Sequence, residues 1–206
     1  GGVRPLASAY LQAIRALCDK HGLLLIFDEV QTGLGRTGTL FAHEQLGVTP
    51  DIMTLAKALG NGLPIGAMLT TEKIAASLVV GTHASTFGGN PVAAAAAVEV
   101  LKIMLSDGFL ASVQAKSQYF IAKLKAVATQ FPHLATGVRG RGLLLGLMLT
   151  GKGIELGMEI VQQMFAEGAL INFAGNKVLR FVPPLIVSEA EIDALVEKLC
   201  RVLARL

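Results

Sequence analysis

The sequence predicts an α/β chain in two parts: the second half of a parallel-sheet domain, residues 1–108, and a smaller α+β domain, residues 109–206. Three observations predict it. Leu23-Leu24-Leu25-Ile26-Phe27 and Ile52-Met53-Thr54-Leu55 are short apolar runs without regular polar alternation, as expected of strands buried on both faces of a parallel sheet. Segments of helical period flank these runs, the alternation of an α/β layer. After Asp107-Gly108 the pattern changes to a long helix and then to short, closely spaced strands.

The elements follow in order. Pro5 to His21 places Leu6, Tyr10, Ile14 and Leu17 on one helical face, and Gly22 ends the helix. Leu23 to Phe27 is the first strand and stops at Asp28-Glu29. Gly33 to Gly38 is a loop, Leu40 to Gly47 one or two helical turns, and Ile52 to Leu55 the next strand, delivering Ala56-Lys57. Leu59 to Pro64 is turn chemistry, Ile65 to Leu69 a strand and Glu72 to Leu78 a short helix. Thr82 to Asn90 is a polar, glycine-rich loop, and Pro91 suits the first position of a helix running to about Leu105. The small residues from Val92 to Ala97 permit close packing against another element.

In the second part, Phe109 to Phe131 is a long amphipathic helix ended by Pro132. Val138 to Gly142 reads as a glycine-rich interdomain turn carrying Arg139 and Arg141, and Leu143 to Leu149 as a strand. Gly153 to Glu167 is a helix, and Leu170 to Phe173 and Val178 to Phe181 are short strands. Ser188 with Glu191 forms a capping box for the last helix.

Composition narrows the function classes. The chain has 206 residues, 52% of them hydrophobic, and a mean hydropathy of +0.58. That is apolar for a domain of this size, so part of its apolar surface is expected to meet another segment or subunit. No apolar run reaches the ~18 residues of a membrane span. The start at Gly1-Gly2-Val3 shows no signal-peptide pattern and suggests a piece of a longer protein. The formal charge of +3 is dispersed, which does not imply nucleic acid. Cys18 and Cys200 read as buried thiols in a reducing cytoplasm. The scattered histidines (His21, His43, His83, His133) have no metal spacing.

The chemistry concentrates at strand ends, where open α/β sheets bind ligands. Asp28 follows five apolar residues, and a carboxylate there needs a cation or donor. A protonated heteroaromatic nitrogen is one such cation; a turn cap is the plainer alternative. Lys57 follows an apolar strand and precedes a glycine-rich turn; a solvated surface lysine is the plainer reading, and the alternative is an amine held at the edge of a cleft for Schiff-base chemistry. The two together match the demands of pyridoxal phosphate, an amine for the carbonyl and an acid for the ring nitrogen. Ser85-Thr86 before Gly88-Gly89 suits a phosphate or a plain helix entry. Arg180, in the apolar strand Leu179-Arg180-Phe181, requires an anionic partner, either a ligand carboxylate or an internal ion pair. Gly33 to Gly38 lacks the Gly-Lys-Ser/Thr ending of a nucleotide P-loop.

Several strings resemble the class III (ω-) aminotransferases. They are Leu25-Ile26-Phe27-Asp28-Glu29-Val30-Gln31-Thr32-Gly33, Gly35-Arg36-Thr37-Gly38, Thr54-Leu55-Ala56-Lys57-Ala58-Leu59-Gly60, Thr86-Phe87-Gly88-Gly89-Asn90-Pro91 and Leu179-Arg180-Phe181-Val182-Pro183-Pro184. The resemblance implies a fold-type I pyridoxal-phosphate transferase, a cytoplasmic homodimer with its sites at the subunit interface. It implies that Lys57 holds the cofactor and moves the proton, and that Asp28 pairs with the ring nitrogen. Gln31 would bond the ring hydroxyl, Val30 cover one ring face, Thr86 reach the phosphate of the neighbouring subunit's cofactor, and Arg180 take the substrate α-carboxylate. The implied donor is N-acetylornithine, with succinylornithine, ornithine or 4-aminobutyrate as alternatives, and 2-oxoglutarate is the implied acceptor. A non-catalytic relative would be expected to lack Asp28 or Lys57, and both are intact. Family members are about twice this length, so an N-terminal half carrying the other phosphate loop is expected outside the chain, and the chain alone is expected to be inactive.

Overall fold

A computed structural model describes residues 2–206. The chain divides into two compact units, residues 6–110 and residues 2–5 together with 111–206.

In the first unit, helix α1 (Ser8–His21) ends at Gly22, whose φ of +65° lets the chain reverse into the left-handed region. Strand β1 (Ile26–Asp28) pairs in parallel with β2 (Ile52–Leu55), and β2 pairs antiparallel with β3 (Ala67–Thr70). The sheet order is β1–β2–β3. The expectation of a parallel sheet therefore holds for β1 and β2 and fails at β3. The turn from Leu59 to Pro64 is short enough to return β3 beside β2, which only an antiparallel neighbour allows. A 3₁₀ turn (Ala42–Leu46) precedes β2, another (Lys57–Leu59) follows it, and α2 (Glu72–Ala75) is a single turn. Helix α3 (Pro91–Met104) is capped by Asn90, whose Oδ1 accepts the N–H groups of Val92 and Ala93 at 3.0 and 3.3 Å.

The burial of this unit departs from expectation. Leu23, Leu24 and Ile26 are more than half exposed, as are Tyr10 of α1 and Val92 of α3. The apolar face foreseen on α1 exists, but Leu6, Tyr10 and Leu17 point to open space while Leu11 is buried. Strand β1 has a partner on one side only. An apolar run at an unpaired edge is a surface awaiting another chain segment rather than a core.

Asp51 ties α1 to the sheet. Its Oδ2 accepts from the Leu25 N–H and from Arg15 Nη1, both at 2.7 Å, and Arg15 Nη2 also meets Asp19 at 2.6 Å. The Leu25 N–H, then the Arg15 guanidinium, hold the Asp51 carboxyl below the usual carboxylate range. A depressed folded-state value stabilises the fold above the unfolded value of ~3.9. That contribution is lost as pH falls through the lower folded value. Asp51→Asn is therefore expected to lower Tm by a few degrees at pH 7. The deficit against the parent should shrink in thermal melts taken below about pH 4. A deficit independent of pH would assign the effect to packing instead.

The second unit has a closed core. Helix α4 (Phe109–Gln130) lies along a four-stranded antiparallel sheet of order β4–β5–β7–β6. The strands are β4 (Ala135–Arg141), β5 (Leu144–Leu149), β6 (Asn172–Ala174) and β7 (Val178–Phe181). Side chains alternate between sheet faces. Leu145, Leu147, Leu179 and Phe181 share one face, all 2% exposed or less, and the ring of Phe120 meets Phe181 edge-on at 5.5 Å. Helices α5 (Gly151–Glu155), α6 (Gly157–Ala166) and α7 (Glu189–Leu203) complete the layer. The single helix expected from Gly153 to Glu167 is broken at Leu156, the C-cap of α5 and N-cap of α6. The next residue, Gly157, lies where a Cβ would come within 2.6 Å of the Phe173 ring. The capping box forms as read, Ser188 Oγ accepting from Glu191 N–H and Glu191 Oε2 from Ser188 N–H.

Val138 to Gly142 is not an interdomain turn: its first four residues are the end of β4. Of the glycines that suggested a turn, Gly140 serves the strand's irregular backbone, with a φ of +131°. Both cysteines are free and half-buried rather than fully buried, and burial raises the Cys200 thiol. Among the described residues, no helix is long and apolar enough to cross a membrane.

Candidate active site

Because β1 and β2 run parallel, their carboxyl ends lie side by side, with Asp28 opposite Thr54. Asp28 closes β1 and Lys57 begins the 3₁₀ turn just beyond β2. Asp28 Oδ1 accepts from Val30 N–H at 3.0 Å and from Thr54 Oγ1 at 3.4 Å. Its other oxygen has no hydrogen-bond partner among the described residues. Lys57 is exposed and makes no ion pair among the described residues.

The backbone at Lys57 is the feature that sequence reading could not supply. Its φ is +48°, a conformation costing a non-glycine residue ~1 kcal/mol or more and persisting only where the surroundings impose it. Two neighbours impose it. A Cβ on Gly60 would strike the Leu63 carbonyl and come within 2.7 Å of Ile65, so the turn closes tightly only with glycine there. Behind the turn, α3 packs against it. Ala93 and Ala97 are buried, the close approach that the small-residue stretch foretold.

Glu29 anchors the segment that follows β1. Its side chain is 3% exposed, and it takes hydrogen bonds from Thr32 Oγ1 and from His43 N–H at 2.9 Å. The His43 ring lies parallel to Phe41 at 5.8 Å and tilted to Phe27 at 6.3 Å, with Nδ1 3.5 Å from Glu29. These contacts fix the segment that presents Asp28, half-buried Val30 and exposed Gln31. Nearby, Gln45 Nε2 bonds Thr37 O and Thr39 Oγ1, both at 2.8 Å. Burial lowers the pKa of the Arg36 guanidinium in the same loop.

Thr86 lies in the exposed loop before α3. Ser85 Oγ accepts from Gly88 N–H at 2.8 Å and shapes that loop. Asp28, Val30, Gln31, Lys57 and Thr86 thus belong to the first unit, and Arg180 to the second. Arg180 is half-buried in β7, its Nε is buried without a partner, and among the described residues no carboxylate lies within ion-pair distance of it. The internal ion pair considered from sequence is therefore not made.

A free carboxylate oxygen and a free amine at neighbouring parallel strand ends fit pyridoxal phosphate, whose ring nitrogen and carbonyl carbon need those two groups. Among the described residues there is no group of three or more His, Cys, Asp or Glu side chains that could hold a metal ion. An apolar cavity of ≈ 540 Å³ in the second unit, lined by Leu170, Phe181, Pro183, Val187, Leu195 and Lys198 among others, contains none of these residues.

The chain matches the family model for aminotransferase class-III over residues 1–203. Acetylornithine aminotransferase 1 of Bradyrhizobium diazoefficiens is 52% identical over 204 residues, covering 99% of this chain and 49% of that protein. Succinylornithine transaminase of Yersinia pestis is 50% identical over 192 residues, covering 93% and 46%. Among solved structures, N-acetylornithine aminotransferase from Stenotrophomonas maltophilia superposes with a TM-score of 0.90 at 41% identity, covering 100% of this chain and 53% of that one. The chain spans about half the length of the curated relatives it matches.

Proposed function

The chain belongs to the class III aminotransferase family, and from that membership we propose that it forms the lysine-bearing part of an N-acetylornithine:2-oxoglutarate aminotransferase. The observation that carries the proposal is Lys57, an unpaired amine on a left-handed backbone just past β2, with the unpartnered oxygen of Asp28 at the end of the adjacent parallel strand β1. Members of this family use pyridoxal phosphate. When bound, the cofactor supplies an electron-accepting ring and the carbon that takes up the amino group.

Lys57 Nζ would hold the cofactor at its carbonyl carbon and, as a free amine, would serve as the local base for the proton on substrate Cα. Asp28 keeps the ring nitrogen protonated by placing a negative charge against it. Gln31 donates to the ring hydroxyl, and Val30 covers one ring face. Thr86 takes the phosphate of the cofactor held by a second subunit, which makes the enzyme a homodimer with shared sites. Arg180 takes the substrate α-carboxylate through its planar fork. In this reading residues 1–108 are the second half of the cofactor-binding domain and residues 109–206 its small companion, in a cytoplasmic enzyme of arginine biosynthesis. The open edge at β1 and its exposed leucines support pairing with the remaining half.

The second reading is succinylornithine as donor, favoured by relatives of that name at 50% identity. Steady-state turnover of the full-length enzyme with N-acetylornithine, succinylornithine, ornithine and 4-aminobutyrate decides between them. The highest kcat/KM is expected for N-acetylornithine, and a preference of 10-fold or more for another donor, roughly the discrimination one pocket contact supplies, would reassign the substrate. The purified 206-residue chain alone is expected to show no turnover.

A further inference from the structure

We propose that Arg139 is a positioning residue for the carboxylate site at Arg180, acting by fastening the Gly2–Val3 segment across the sheet. This rests on the reading of Arg180 given above. Arg139 pairs with Gly146, Gly146 with Arg180, and Arg180 with Asn172. Residues paired in this way stand on one face of a sheet. It is the face opposite the Leu145, Leu147, Leu179 and Phe181 core, so both arginines stand on the side away from the helices. Their Cα atoms are two strand spacings apart, about 10 Å, and the residue between them has no side chain.

Val3 fills that gap. A Cβ on Gly146 would lie 3.4 Å from Val3 Cβ and 3.5 Å from its Cγ2. Val3 has φ of +50° and Gly2 of +80°. A β-branched residue in that region is an outlier that its surroundings must enforce. Arg139 is the enforcing group: its Nη2 donates to the Gly2 carbonyl, and a Cβ on Gly2 would come within 3.1 Å of the same nitrogen. The Nε atoms of Arg139 and Arg180 are both buried without a partner, and neither residue makes an ion pair among the described residues. The row therefore carries two positive charges and no protein anion. A carboxylate arriving at Arg180 meets Val3 as a wall and Arg139 as a second source of positive potential.

The test uses the full-length enzyme. The affinity of the cofactor-free protein for glutarate, a non-reacting dicarboxylate, is measured by calorimetry, and KM and kcat for 2-oxoglutarate are measured on the loaded enzyme. Arg139→Gln is expected to weaken glutarate and raise KM roughly 10-fold each, the loss of a hydrogen bond from a charged donor, with kcat within about 2-fold. Arg139→Lys, keeping charge but not the fork, should fall between. Gly146→Val, whose branched side chain needs space that an alanine methyl in ordinary contact with Val3 would not, pushes Val3 aside while leaving both arginines in the chain, and should weaken glutarate in the same direction. Arg180→Gln should weaken it about 100-fold. Unchanged glutarate affinity in the Arg139 and Gly146 variants, with Arg180→Gln weakened, overturns the inference alone. Unchanged affinity in Arg180→Gln removes the reading beneath it. If Arg139→Gln does not fold, Arg139→Lys and Gly146→Val decide the question in its place.

Discussion

Lys57→Ala in the assembled, cofactor-loaded enzyme is expected to lower kcat roughly 10⁴-fold or more, the combined loss of a covalent attachment point and a local base. The fold should not change. Lys57 is exposed and unpaired among the described residues, and surface changes of that kind move stability by about 0.5 kcal/mol or less. Alanine retains the backbone cost at φ +48°. Lys57→Gly releases it, so the glycine variant should be about 1 kcal/mol more stable than the alanine variant while equally inactive. Chemical denaturation of the two variants measures that gap. Small primary amines added to Lys57→Ala should restore part of the turnover, since the missing group is an amine and not a structural contact. A Lys57→Ala enzyme within 10-fold of the parent would sink the assignment of the reacting lysine.

Asp28 and Lys57 were legible in the sequence because each ends a short apolar run, and a strand that stops at an ionisable residue delivers it to a sheet edge. The helix ends at Gly22 and Asn90-Pro91, and the Ser188–Glu191 cap, were legible because capping is local chemistry. Most of what escaped was set by distant partners. The apolar composition of Ile52 to Leu55 and Ile65 to Leu69 suits a parallel sheet, and only the shortness of the connection at Gly60 marks β3 as an antiparallel neighbour. Arg139 read as a turn residue because Gly140 and Gly142 carry turn composition, yet Gly140 lies within β4 and Gly142 just beyond its end. Its role emerges only from the register that lines it up with Gly146 and Arg180. Leu23 to Ile26 read as buried because their composition is that of a core strand. Leu23, Leu24 and Ile26 are exposed because burial belongs to whatever pairs with β1, not to the run itself. Glu29 had a signal of its own: in a strand, adjacent residues face opposite sides. If Asp28 faces a ligand, Glu29 faces the interior, where a carboxylate survives only with donors such as Thr32 and His43.

Asp28→Asn is expected to lower kcat by roughly 10²–10³-fold, the range for removing one preorganised electrostatic group from a reacting centre. The substitution isolates charge from shape. Asparagine Oδ1 can still accept the Val30 N–H and the Thr54 hydroxyl that Asp28 Oδ1 now accepts, so the turn into Val30 and Gln31 is retained. The amide NH₂ replaces the oxygen that has no partner among the described residues, the one assigned to the ring nitrogen. An uncharged donor there no longer favours the protonated ring and loses the electron sink on which Cα–H cleavage depends. Tm should stay within a few degrees of the parent, and KM for N-acetylornithine within about 3-fold, because the lost interaction belongs to the transition state rather than to substrate binding. Asp28→Glu keeps the charge but carries it one methylene further, so it should recover part of the loss, unlike Asp28→Ala, which removes the acceptor for Val30 as well. Stopped-flow measurement of Cα–H cleavage in all three variants orders them Glu, then Asn, then Ala. If Asp28→Asn instead turned over like the parent while Asp28→Ala unfolded, Asp28 would be a turn cap, the plainer role its position at the end of an apolar strand also allows.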